Sequence, residues 1–389
     1  MNEKIIKDLL SAAQEGNLKT FSNLLYQFNL NQDLGDFGKI AHKKSGDAIL
    51  HILARNGHIS CLRFLVQEFV GKKFVDLEIR NLDGKTPLHE ACQQGEEEFV
   101  QELLSLGVQV DQLKRADWTP AMLAVTHPGR LGILKLLVKQ AANLNIQNKD
   151  GWTSFHVAAR TGDLEVLLFI LEQEPTAWSI VSKNGRTPLH TAALHASYQT
   201  VDFLLSVGCS CNSMDSCGTT PLMDAVRANS VESTQLILRR KDLNRSLRDS
   251  VGRSPVHVAA QAGAVQCLKL LLEDGFGLDV KTRDGQSALH CAAREGQLVT
   301  VNFILGQGGL INLRDVNGRT SLFLAISGQH VETCKSLLEA GAELFTDKSY
   351  LNLEELARKP ELKRLIAFHM TRSKGGGENG ILNENKTID

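Results

Sequence analysis

Apolar positions along most of this chain come as paired short-helix patterns. In "TPLHEACQQGEEEFVQELLSLG", residues 86–107, Leu88 and Ala91 lie three apart on a first segment, and Val100, Leu103 and Leu104 follow at helical spacing on a second. Thr86 can cap the first helix, Pro87 suits a first position where a missing N–H costs nothing, and Gly95 ends it. The same second-helix pattern returns as Leu167, Ile170 and Leu171. Helices this short cannot bury a face alone, so the pairs must stack on one another.

The pattern repeats. "DGKTPLHEACQQG", "NGRTPLHTAALHA", "CGTTPLMDAVRAN", "VGRSPVHVAAQAG", "DGQSALHCAAREG" and "NGRTSLFLAISGQ" vary one theme. The capping Thr or Ser falls at 86, 119, 153, 187, 220, 254, 287 and 320, in steps of 33 or 34. Each unit opens on an Asp-Gly or Asn-Gly type pair, which predicts a tight reversal made by that pair. Small alanines on the first helix let the next unit approach closely. These features resemble the ankyrin repeat, whose hallmark "TPLHxAAxxG" stands nearly intact at 86–95 and 187–193. The resemblance implies an all-α solenoid of helix-turn-helix units joined by hairpin-like turns, a curved and elongated stack.

On that reading, residues 45–346 hold nine repeats and residues 1–44 a degenerate N-terminal cap. Residues 347–369 form C-terminal capping helices and 370–389 a disordered tail, with no second domain of another kind. Three places depart from the rhythm: the insertion "EFVGKKF" after the first repeat, "THPGRLG" with Pro128 and Gly129, and "EQEPTAW", which brings in Trp178.

Composition narrows the function. The chain has 43 basic and 44 acidic side chains, a formal charge of −1, and so no electrostatic footprint for nucleic acid or an anionic membrane. The eight cysteines lack a CxxC pair and mostly sit in helical patterns, as small buried residues of a reducing compartment do. No apolar stretch reaches membrane-spanning length and the first residues lack a secretory pattern. A monomeric intracellular protein is expected.

Candidate chemistry is sparse. Histidines 51, 89, 156, 190, 257 and 290 recur at one repeat position, but translation along a stack keeps them apart, so each reads as a helix-start residue bonding locally. Cys209, Cys211 and Cys217 crowd one hairpin without a standard zinc spacing or a fourth ligand. "HEACQQ" lacks a zincin's second histidine, and "SKGGGENG" lacks the strand and helix of a phosphate loop. No catalytic residues, metal or cofactor are expected, and the protein reads as a binder and not an enzyme.

The turn tips carry the signal. All three tryptophans lie between 118 and 178. Lys85, Trp118, Trp152 and Arg186 occupy the position before the capping residue in four successive repeats and should form a row along the fingers. Trp and Arg are the residue types that anchor interfaces. Lys114, Arg115, Lys149 and Lys183 accompany them. With Trp178, these make the region 110–190 the expected partner-binding patch.

The segments "LKRADWTPAMLA", "NKDGWTSFHVAARTGD" and "SKNGRTPLHTAALH" further resemble the ankyrin-repeat cofactors of alanyl-tRNA synthetase. That resemblance implies binding to the synthetase's catalytic domain in cytoplasm and nucleus, and prevention of serine mischarging by capture of misactivated serine on lysine side chains. Lys149 matches one acceptor lysine of that group. Arg115 stands where a second is expected, with Lys114 beside it, and Ser179 replaces a third, with Lys183 the nearest lysine. The alternative is a general ankyrin adaptor using the same face for another protein.

Overall fold

The computed structural model describes residues 3–30, 40–69, 75–344 and 356–375. The insertion at 68–74 and the start of the expected C-terminal cap therefore lie largely outside the described residues. Two compact units divide the chain: residues 1–192 with 199–209, and residues 193–198 with 210–389.

In the first unit the helices come in pairs: α1 (Glu3–Glu15) with α2 (Leu18–Leu30), α3 (Ile49–Arg55) with α4 (Ile59–Phe69), and α5 (Pro87–Gln94) with α6 (Glu97–Ser105). Then follow α7 (Pro120–Ala124) with α8 (Leu131–Lys139), α9 (Ser154–Thr161) with α10 (Leu164–Gln173), and α11 (Pro188–Leu194) with α12 (Tyr198–Ser206), whose facing ends meet the unit boundary. The second unit continues with α13 (Pro221–Arg227), α14 (Val231–Leu238), α15 (Pro255–Ala262), α16 (Val265–Glu273), α17 (Ala288–Arg294), α18 (Leu298–Gly306), α19 (Ser321–Ser327) and α20 (Val331–Glu339). Last comes α21 (Pro360–Gly375), which overlaps the first residues of the segment expected as a tail. Among the described residues there are isolated bridges but no strands, so the all-α expectation holds.

Local chemistry sets these helices as the sequence predicts. Thr86 precedes α5 in extended backbone, Pro87 is its first residue, and Gly95 closes it at φ 93°. Only glycine adopts that left-handed turn without steric cost. First helices then stack on first helices and second on second: α1, α3, α5 and α7 form one column and α2, α4, α6, α8 and α10 the other. The second unit repeats this with α13, α15, α17 and α19 beside α14, α16, α18 and α20.

Close approach in the first column depends on small side chains. Ala91, Ala124, Ala158 and Ala159 are fully buried in the first unit. The second column supplies the bulk: Val100, Leu103, Leu134, Leu137, Leu167 and Ile170 are also fully buried. Leu171, expected in the same set, is only half-buried. Seven of the eight cysteines are buried and Cys217 is exposed; burial pushes the thiols of Cys92, Cys209, Cys291 and Cys334 up, away from the reactive thiolate.

Candidate functional site

The reversal in "QNKDGW" is built differently from the expected Asp-Gly pair. The Asn148 carbonyl accepts from the Gly151 amide at 2.8 Å, which makes Lys149 and Asp150 the two tip residues. The Asn148 side-chain oxygen accepts from the Asp150 and Trp152 amides at 2.9 and 2.8 Å, so this one buried side chain sets the loop. Gly151, at φ 79°, closes the turn. Asn81, Asp215, Asp249 and Asp315 do the same in their repeats, each accepting from the amides two and four residues on. Lys149 is thus placed at an exposed tip by its neighbours and is not itself needed for the turn.

Successive tips are tied edge to edge. In the first unit the Arg115 amide donates to the Asp83 carbonyl at 2.9 Å, Lys149 to Ala116 at 3.0 Å and Lys183 to Asp150 at 3.0 Å. Arg115, Lys149 and Lys183 therefore hold the same place on adjacent fingers, and all three are exposed. Their register is fixed by backbone, so the row is rigid at its base even though its side chains are long.

The third repeat, capped by Thr119, lacks both the turn-setting Asn and the glycine. Lys114 stands at the Asn148 position, and Ala116 and Asp117 take left-handed backbone at φ 63° and 61°. Non-glycine residues held there cost on the order of 1 kcal/mol or more each. Lys114 stabilises the distorted finger: its ammonium pairs with Asp83 at 3.3 Å and sits 6.0 Å from the centre of the Trp118 ring. Its side chain is only 15% exposed, whereas that of Arg115 is 74% exposed. Lys114 and Arg115 are neighbours in sequence with opposite surroundings.

Lys85, Trp118, Trp152 and Arg186 hold the same place in their turns, each carbonyl accepting from the amide four residues earlier, but their surroundings differ. Lys85 turns inward, where its ammonium lies 3.1 Å from the buried Glu90 carboxylate and 2.6 Å from the Gln93 side-chain oxygen. Arg55 holds the same Glu90 at 3.0 Å. Lys85 is thus part of a buried charge network. Trp118 and Trp152 are half-buried, and Trp152 stacks on His156 of its own repeat with centroids 6.2 Å apart. Each keeps part of its ring on the surface. Arg186 is half-buried at the next position. Trp178 stands apart from this row, on a single helical turn Ala177–Ser179 that follows α10; its carbonyl faces the Cys209 sulfur at 4.0 Å.

The second unit shows the contrast. There the same row position holds Arg253 and Arg319, bound at 2.6 and 2.8 Å to the aspartates of their own turns. Those charges are spent inside each repeat, while the first unit presents two partly exposed indoles and three exposed cations.

The histidines bond locally and also across repeats. Nδ1 of His89 accepts from the Thr86 amide and hydroxyl at 3.1 and 2.9 Å, which leaves the proton on Nε2. That Nε2–H donates to the Trp118 carbonyl of the next repeat at 3.2 Å. His51 reaches Lys85, His156 reaches Arg186, His257 reaches Gln286 and His290 reaches Arg319 in the same way. The reach to the next repeat is a correction to the purely local role expected. Met122 takes this position in the third repeat and Met223 in the sixth, so no histidine bonds the Trp152 or the Arg253 carbonyl. Among the described residues no group of three His, Cys, Asp or Glu side chains could hold a metal ion, and no helix is long and apolar enough to cross a membrane.

Comparison with known proteins matches the chain to a family model described as ankyrin repeats in three copies, over residues 9–114, 67–148, 121–215, 207–284 and 256–348. The match begins inside the segment expected as a degenerate cap. Among curated relatives, the B-cell lymphoma 3 protein homolog of Mus musculus is 29% identical over 33% of this chain and 28% of its own length. Ankyrin repeat and SOCS box protein 11 of Homo sapiens is 30% identical over 32% and 37%, and NF-kappa-B inhibitor zeta of Homo sapiens 30% over 36% and 19%. The chain thus spans well under half the length of each.

Proposed function

The chain belongs to the ankyrin repeat family, and from that premise we propose that it is a protein-binding scaffold whose client, alanyl-tRNA synthetase, docks on the fingers of the first unit. One observation carries the reading: exposed Lys149 and Lys183 stand in backbone register with Arg115, beside the part-exposed rings of Trp118 and Trp152. Indoles that keep an exposed face can fill partner pockets, and the cations around them set orientation and rate of encounter. The resemblance of the segments 113–124, 148–163 and 182–195 to the synthetase cofactors supports this choice of client.

In this reading the protein docks on the catalytic domain and prevents serine mischarging by accepting misactivated serine. A neutral lysine amine attacks the carbonyl carbon of seryl-adenylate. The C–N amide bond forms, the anhydride C–O bond breaks, AMP leaves with that electron pair, and the amine's proton passes to solvent. An ordinary lysine of pKa about 10.4 is only about 0.04% neutral at pH 7, so proximity to the synthetase site must supply the rate. Lys149 and Lys183 are assigned as acceptors because no hydrogen bond or ion pair engages their ammonium groups among the described residues. Lys114 is set aside, since Asp83 and the Trp118 ring already hold it. The amide product does not turn over, so each lysine acts once.

The test is co-purification of the wild type and of Trp118→Ala/Trp152→Ala with the synthetase of the same organism. Loss of binding by at least roughly 30-fold is expected, as for the removal of one aromatic anchor worth about 2 kcal/mol or more. Binding unaffected by the double change would move the interface elsewhere, and no binding of the wild type at micromolar concentration would sink the assignment of the client. Incubation with the synthetase, serine and ATP should then add a seryl group to Lys149, read by peptide mass spectrometry. A second reading, an adaptor for another client, draws on the likeness to the B-cell lymphoma 3 and NF-kappa-B inhibitor proteins; it predicts binding on the same face with no adduct.

A further inference from the structure

The finger tips of the first unit carry a charge pattern that the second unit lacks. Each tip has two residues, and the first of them reads Leu82, Arg115, Lys149 and Lys183 along the unit. In the second unit Ser250, Arg283 and Val316 hold the equivalent backbone bonds. The second tip residue in the first unit reads Asp83, Ala116, Asp150 and Asn184. One column is therefore cationic while the other alternates carboxylate with neutral groups.

We propose that the Arg115–Lys149–Lys183 column docks an extended acidic segment of the partner protein, with a carboxylate at every third residue. The inference rests on the first unit being the partner-binding face, and a lysine paired with a carboxylate of the segment stays protonated and is withdrawn from serine capture while the segment is bound. Packed helices lie about 8–10 Å apart, which sets the spacing of adjacent fingers at about the same value. A polyproline II segment rises about 3.1 Å per residue with three residues per turn, so residues three apart share one face and lie about 9 Å apart. Three such carboxylates meet the three cations in register. The exposed side chains of Leu82 (66%) and Val181 (45%) flank the column and offer apolar contact to the intervening residues.

The aspartates select the class of partner. Asp83, Asp117 and Asp150 lie on these same tips. A nucleic-acid strand carries a charge every 3.4 Å or so and would meet the aspartates as often as the cations. An acidic peptide with neutral residues between its carboxylates avoids them. Asp83 is also already engaged by Lys114 and Arg115, at 3.3 and 3.8 Å, which lowers its repulsion of an incoming anion.

The probe is a fluorescein-labelled peptide of Glu-Pro-Ala triplets, compared with a peptide of equal composition whose glutamates are adjacent. Anisotropy should show binding of the triplet peptide that weakens with salt and falls about tenfold or more in Lys149→Glu/Lys183→Glu. Arg283→Glu, at the same turn position in the second unit, should leave it unchanged. Both changes are at exposed positions, and an unaltered thermal transition verifies the fold. Equal binding of the two peptides, equal binding by the Lys149→Glu/Lys183→Glu protein, or tighter binding of a single-stranded oligonucleotide of equal charge would each overturn the inference. The two levels separate cleanly. Peptide binding without synthetase binding removes the client and keeps the acidic segment, whereas synthetase binding that survives Lys149→Glu/Lys183→Glu keeps the client and removes the acidic segment.

Discussion

On acidification from pH 6.5 to about 4, the protein is expected to lose stability steeply, at roughly 3 kcal/mol per pH unit from two histidines alone. Burial lowers the pKa of His89 and of His156 from 6.5 to about 4, because the charged ring would be taken out of water. Both rings are fully buried, with Nδ1 already accepting hydrogen bonds that a protonated ring could not keep. The unfolded chain takes up these protons below about 6.5, while the folded chain resists until about 4. The stabilisation is therefore complete above pH 6.5, drains through the window, and has gone once pH falls through the folded value. His51, His257 and His290 shift in the same direction for the same cause and add to the slope.

The measurement is denaturant unfolding at half-unit pH steps. His89→Gln/His156→Gln serves as the control: it should be less stable at pH 7 and show a shallower pH dependence. A flat midpoint from pH 6.5 to 4.5 in the wild type, or a ring titration of His89 near 6.5 by NMR, would remove the argument. The histidine bonds also join neighbouring repeats, so loss should spread beyond the repeat protonated. The junctions that follow Met122 and Met223, which stand where the other repeats have histidine, lack such a bond and should depend least on pH.

Much of this architecture was legible because its causes are local. A capping Thr before Pro, a glycine after the first helix and an apolar pair on the second lie within 20 residues of one another, and a step of 33 or 34 copies them. The turn differs from the expected Asp-Gly reversal for a reason also present in the sequence. Asp-Gly attracts attention as a reversal, yet Asn81, Asn148, Asp215, Asp249 and Asp315 recur three residues before the glycine and do the hydrogen bonding. Their recurrence could have shown it.

Other features needed the third dimension. Nothing in "LKRADW" marks the Lys114 side chain as enclosed and that of Arg115 as exposed; the finger there takes left-handed backbone at Ala116 and Asp117, which no glycine announces. Lys85 looked like part of a binding row until Glu90 proved to be buried beside it. The histidine's second bond was equally hidden, since it depends on the offset between stacked repeats. Where a side chain's partner lies in the next repeat, periodicity gives the position and not the role.

Gly151→Ala tests whether the fingers act as one edge. At φ 79° an alanine pays about 1–2 kcal/mol for left-handed backbone. Its Cβ would also stand 2.4 Å from the Lys183 amide nitrogen and 3.0 Å from the Ser182 backbone, so the next finger must move. Movement breaks the 3.0 Å bond from the Lys183 amide to Asp150, worth about 1 kcal/mol. A total loss of about 2–3 kcal/mol is expected. Gly107→Ala is the matched comparison, because Gly107 has φ 80° but no atom within 4 Å of the added carbon, and should cost the backbone part alone. The difference in unfolding free energy between the two variants isolates contact between fingers, and equal losses would mean that the tips are not rigidly coupled. At temperatures where both remain folded, only Gly151→Ala should disturb the register of Lys149 with Lys183. It should accordingly weaken the triplet peptide while Gly107→Ala leaves it alone, which ties the chemistry of an exposed row to a glycine that touches no partner.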